Sequence, residues 1–296
     1  MSVAKTLKQY LIYPLQAGGV YCALKLCRAL PVTWASAIGA FMFRTFGPRL
    51  RADKVARANL AFAFPEKSEA EREEILRGVW DNLGRGAGEW AHVMAIARDP
   101  KRLEIIGLEH LEAARDSGRP FILVSAHMGN WELSSAATAQ HGVRLSNIYR
   151  SAANPWMDRM FRAERGKFMG ELLPKGRGGA KAAIRALSEN RPLGMLFDQK
   201  LNEGVPVPFF GRPAMTATAP AALGMRFRCP VLPLRMERLP GVRFRMTILP
   251  ALPFPEEGSQ HAAQLAFMTT LNELLEGWIR ERPEQWFWVH RRWPES

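Results

Sequence analysis

From residue 100 onward the chain alternates between two patterns. Short apolar runs of strand length fall at 103–107, 120–126, 143–149, 192–198, 229–236 and 242–249. Stretches with helical character separate them, at about 108–116, 131–140, 154–169, 178–190, 216–227 and 259–281. Strands in repeated strand–helix units lie side by side and bury both faces under the helices. The pattern predicts an α/β fold, a mixed and largely parallel sheet flanked by helices. It also says where a ligand belongs, because open sheets of this kind bind in the crevice outside the carboxyl ends of their strands.

Three of the apolar runs end in residues that carry chemistry. Phe121 to Ala126 stops at His127, Gly129 and Asn130 break the run, and Glu132 follows in the first turn of the next helix. A carboxylate on one imidazole nitrogen fixes the tautomer and leaves the other nitrogen free to take a proton from a nucleophile. Glu132 is expected to supply that carboxylate. Backbone N–H groups from Met128 to Asn130 are candidate donors to an oxyanion. Arg150 ends a second run, and the segment after it carries Arg159, Arg162, Arg165 and Lys167, a natural site for a phosphate. Asp198 ends a third. A carboxylate directly after a buried strand needs a partner, and one of those arginines is expected to be it. No G-x-S-x-G nucleophile elbow occurs, so a serine nucleophile of that kind is not expected.

Charge and composition narrow the partners. The 296 residues carry a net charge of +13, which suits an acidic membrane surface, a phosphorylated substrate or nucleic acid. The first 58 residues hold nine Lys or Arg (Lys5 and Lys8 among them) against one acid, Asp53, or +8 of the total. Between these charges lie two uncharged stretches, Tyr10 to Leu24 and Ala29 to Phe43, the first interrupted by Pro14 and Gly18-Gly19. Both are shorter than the ~20 residues of a spanning helix. Residues 1–58 read as a basic, apolar, helical segment that associates with a membrane; the other reading is a helical subdomain with a basic outer face. Residues 59–296 form the second unit, helical over 59–99 and α/β over 100–296. Ser68 and Glu71 form a capping box that starts a helix expected to run to about Leu83, before Gly84, Gly86 and Gly88. Three cysteines without metal spacing, and histidines without paired spacing, predict no metal and a reduced, cytoplasmic-side environment. Gly176 to Gly179 matches neither nucleotide-binding loop pattern. The aromatic and basic tail, Pro283 to Pro294, is open to three readings: stacking on bases, anchoring at lipid headgroups, or packing on the core.

Taken in order, these residues resemble the bacterial lipid A biosynthesis lauroyl/myristoyl acyltransferases. His127-x4-Glu132 resembles the H-x4-D/E motif of glycerolipid-type acyltransferases. The likeness continues in Asn59-Leu60, Phe64-Pro65, Tyr149-Arg150, Asn154-Pro155, Asp158, Arg165, Asp198-Gln199, Val207 to Gly211, Thr216 to Pro220, Pro230 to Pro233 and Pro283 to Trp293. The resemblance implies transfer of an acyl chain from acyl carrier protein to a hydroxyl of a phosphorylated lipid A precursor, without a cofactor, at the cytoplasmic face of the inner membrane. It implies His127 as general base, Glu132 as the residue that orients it, and Arg165 and Asp198 as active-site support. Arg150 falls where related enzymes have a phosphate-binding arginine. A close alternative keeps the reaction and changes the acceptor to another glycolipid, such as a phosphatidylinositol mannoside, with acyl-CoA as donor. A basic module without chemistry would explain the charge and the tail but not a histidine, an arginine and two carboxylates at strand ends; nucleic acid is not an expected partner.

Overall fold

The computed structural model describes residues 8–293; Lys5 and Pro294 lie outside them. After a π-helical turn (Lys8–Ile12), helices α1 (Tyr13–Ala29), α2 (Val32–Phe46), α3 (Arg51–Ala63), α4 (Glu69–Glu89) and α5 (Val93–Arg98) form a helical layer. The Ser68–Glu71 box caps α4 in both directions: Ser68 Oγ accepts from the Glu71 N–H and the Ser68 N–H donates to the Glu71 carboxylate. The helix does not stop near Leu83. It runs through Gly84, Gly86 and Gly88 to Glu89, because two of those glycines face α2. A Cβ on Gly84 would lie 2.3 Å from the Gly39 carbonyl oxygen, and one on Gly88 would lie 2.1 Å from that of Ala35. The glycines are where two helix backbones meet.

The alternating region follows. Its elements are β1 (Leu103–Ile106), α6 (Leu108–Asp116), β2 (Ile122–Ser125), α7 (Glu132–Gln140), β3 (Ser146–Tyr149), α8 (Pro155–Arg165), β4 (Leu172–Pro174), α9 (Arg177–Ser188) and β5 (Leu193–Leu196). Then come β6 (Lys200–Phe209), β7 (Arg212–Thr216), α10 (Ala219–Phe227), β8 (Val231–Leu239), β9 (Arg243–Ile248) and α11 (Gln260–Glu281). Seven strands form one sheet in the order β1-β9-β8-β2-β5-β3-β4, parallel throughout except for the β8–β9 pair. All six expected runs are strands of this sheet. The expectation missed the three-residue edge strand β4 and the separate β6–β7 hairpin, which carries Pro206, Pro208 and Pro213. Proline cannot donate to a ladder, so the hairpin has no clear strand signature in sequence.

Strand β2 is buried at every position, as a central parallel strand must be. Its pleat sends Ile122 and Val124 into a core shared with α3, α4, α11 and the tail, and Leu123 into a second core beneath α6 and α7. The tail packs inward: Trp286 and Trp288 are 0% exposed, and Trp293 stacks on Phe209 at 5.4 Å. Asn59 of α3 pins it by donating to the carbonyls of Trp288 and His290, each at 2.8 Å. Of the three readings of the tail, core packing is the one realised. The division expected at residues 58 and 59 falls inside α3.

Candidate active site

Parallel pairing decides who meets whom. Ser125 of β2 lies opposite Leu196 of β5, and the ladder continues with the Phe197 N–H donating to the Ser125 carbonyl at 3.1 Å. Two residues further on, in register, His127 faces Asp198. The His127 ring Nδ1 lies 2.7 Å from Asp198 Oδ1, and the His127 backbone N–H donates to Oδ2 at 2.9 Å. Trp286 Nε1 donates to the same Oδ2 at 2.8 Å. Asp198 is 1% exposed. Burial alone would raise its pKa; the charge of the His127 ring, with the hydrogen bonds from the ring, its backbone N–H and Trp286, outweighs burial and holds the carboxyl well below the usual range. A carboxylate that stays ionised can only accept, so Nδ1 points a proton at it, and whenever the ring is neutral its lone pair lies on Nε2. Gln199 Nε2 lies 3.3 Å from that nitrogen.

The expected partners are therefore exchanged. Glu132 was to hold the ring and Asp198 an arginine; in the fold Asp198 holds the ring and Glu132 takes the arginine. Arg165, at the end of α8, donates Nε to Glu132 Oε2 at 3.1 Å and Nη2 to Oε1. Burial would lower the Arg165 pKa, and the Glu132 charge more than offsets it, so the net shift is upward. Glu132 sits at the start of α7, while Trp131 beside it packs edge-on to the His127 ring at 5.1 Å. Phe287 from the tail closes the other side at 5.6 Å. Arg150 is exposed at the carboxyl end of β3, two strands from β2 on the same rim, as expected.

The loop after His127 is held from beneath. Gly129 adopts φ +56°, and a Cβ there would meet the Met236 carbonyl oxygen at 2.7 Å. Its N–H donates to the Gln285 carbonyl at 3.0 Å, and the Met128 N–H to that of Ala126 at 2.8 Å. Two of the three N–H groups expected to face an oxyanion are thus already engaged. Asn130 donates to Glu89, which is 0% exposed and also accepts from Arg238 (2.6 and 2.8 Å) and Ser36 (2.7 Å). This brace, and Trp286 on Asp198, were not foreseen. A charge at the end of a buried run marked Asp198, and the ordered Pro-x-x-Trp of the tail marked Trp286, but neither signal gave the partner; Glu89 and Arg238 gave no signal.

A histidine hydrogen-bonded to a buried carboxylate fits several chemistries, so comparison with known proteins decides the family. The pattern described as bacterial lipid A biosynthesis acyltransferase matches residues 6–295. The chain belongs to that family. This acyltransferase is 28% identical over 253 residues to the lipid A biosynthesis lauroyltransferase of Escherichia coli, covering 82% of the chain and 79% of that protein. It is 26% identical over 243 residues to a lipid A biosynthesis acyltransferase of Haemophilus influenzae, covering 79% of the chain and 73% of that protein. A phosphatidylinositol mannoside acyltransferase of Mycolicibacterium smegmatis is 24% identical over 286 residues, or 93% of the chain and 90% of that protein. In the acyltransferase the tail closes the wall beyond His127. His290, stacked on Phe287 at 6.4 Å, accepts from the Lys200 N–H; burial, foremost, pushes its pKa down to about 4. Arg292, 0% exposed, donates to the Met215 carbonyl and to Thr216 Oγ1.

Proposed function

We propose that this acyltransferase moves a fatty acyl chain from acyl carrier protein to a hydroxyl of a phosphorylated lipid A precursor, with His127 as general base oriented by Asp198. The observation that carries the reading is the 2.7 Å contact between His127 Nδ1 and Asp198, which leaves Nε2 as the ring nitrogen that can take a proton. The acceptor hydroxyl gives its proton to Nε2 as its oxygen attacks the thioester carbonyl. The tetrahedral intermediate then expels the thiolate, which takes the proton back from the imidazolium. Glu132 holds Arg165 at the rim, and Arg165 with the exposed Arg150 offers guanidinium groups to a phosphate.

The reading places the reaction at the cytoplasmic face of the inner membrane. Among the described residues no helix is long and apolar enough to cross a membrane. What supports surface attachment is the exposure of large apolar side chains on α1 and α2, Leu15, Leu26, Trp34 and Phe41 foremost, beside the basic residues of the same segment. The match to the mannoside acyltransferase over most of its length favours a second reading, the same chemistry with acyl-CoA and another glycolipid.

The test is acyl transfer from labelled acyl–acyl carrier protein, and separately from acyl-CoA, to a tetraacylated lipid A precursor. The wild type should use the carrier-protein thioester, and His127→Ala should lose the activity while remaining folded. Full activity in His127→Ala would sink the mechanism; use of acyl-CoA alone would favour the second reading.

A further inference from the structure

Gln199 follows Asp198 directly, and its only side-chain hydrogen bond among the described residues reaches the base. With its Nδ1–H donating to Asp198, a neutral His127 ring offers only a lone pair at Nε2, so the group that meets it at 3.3 Å must donate. That group is the Gln199 amide N–H. In the resting enzyme the amide occupies the place an acceptor hydroxyl needs. Meanwhile the Met128 and Gly129 N–H groups are committed to carbonyls. The site therefore lacks two of its expected oxyanion donors and holds an unexpected one within reach of the reacting atoms.

We propose that the Gln199 carboxamide is a donor to the oxyanion formed during acyl transfer. The proposal rests on His127 being the base. When the acceptor hydroxyl takes the Nε2 lone pair, the amide gives up that bond. Reacting atoms in a productive complex lie about 3–3.5 Å apart, so the displaced amide remains beside the thioester carbonyl. As the hydroxyl oxygen bonds to the carbonyl carbon, the carbonyl π pair moves to oxygen and the proton passes to Nε2. Gln199 then donates to the new oxyanion. Collapse restores the carbonyl, breaks the carbon–sulfur bond and returns the proton to the thiolate. The anchor for this swing is firm, because Asp198 is fixed by three hydrogen bonds.

Removing one oxyanion donor costs about 10²–10³ in kcat. The experiment measures kcat and KM of full-length Gln199→Ala and Gln199→Glu with acyl–acyl carrier protein and lipid A precursor, with His127→Ala alongside. Glutamate keeps the shape and loses the donor, so it controls for packing. Both Gln199 variants should lose about 10²–10³ in kcat, with KM for each substrate within about threefold of wild type. If kcat stays near wild type, or the loss appears only in KM, while His127→Ala is inactive, Gln199 is not the donor and the base assignment stands. An active His127→Ala would overturn the reading beneath the proposal.

Discussion

Asp198 accepts from three donors and meets almost no solvent. Its carboxylate was visible in the sequence as a charge at the end of a buried run, and so was His127. Their partnership was not, because it depends on which strands are neighbours and in what register. Glu132, nearer in sequence, was the obvious partner and is held by Arg165 instead. The Glu132–Arg165 pair should show a coupling of about 0.5–3 kcal/mol in a double-mutant cycle of Glu132→Gln and Arg165→Gln followed by urea unfolding; additive losses would contradict the pairing. His290 makes a prediction about pH. Its folded pKa is about 4 against an ordinary 6.5, so between these values the unfolded chain binds more protons and stability falls as pH drops from about 6.5 to about 4. His290→Gln should flatten that slope in melts across the window, and an unchanged slope would remove His290 as its source.

Helix α2 is turned inside out relative to an ordinary surface helix. Its small residues, Ala35, Ser36 and Ala40, are buried, and the half-buried Gly39 meets α4 at Gly84, while Trp34, Ile38, Phe41 and Met42 face outward. The sequence showed the apolar stretch and the glycines of α4, but reading those glycines as breakers hid the crossing. Gly84 and Gly88 are spacers, legible only once the two helices are known to touch. Gly84→Ala should lower stability by about 1–3 kcal/mol in urea melts through overpacking, and a neutral result would mean that the helices separate at little cost. The sheet was more legible. Its central strands β2 and β8 are buried on both faces and so read as apolar runs, whereas the β6–β7 hairpin is broken by prolines and left no such run.

The whole molecule combines a basic charge with an apolar outer face on its N-terminal helices. Binding to vesicles containing anionic phospholipid, weakened by salt, is therefore expected. Trp34→Ser with Phe41→Ser should weaken binding at least tenfold, from roughly 1.5–3 kcal/mol for each large apolar side chain buried. Sedimentation with vesicles measures this, and unchanged binding would show that α2 is not the contacting face. The central claim, however, concerns one pair of side chains, and the most direct measurement is kcat of Asp198→Asn in acyl transfer to a lipid A precursor. Loss of a properly oriented base should lower kcat by roughly 10²–10⁴-fold in a protein that remains folded and keeps its KM within a few-fold. Wild-type kcat in Asp198→Asn would contradict the account.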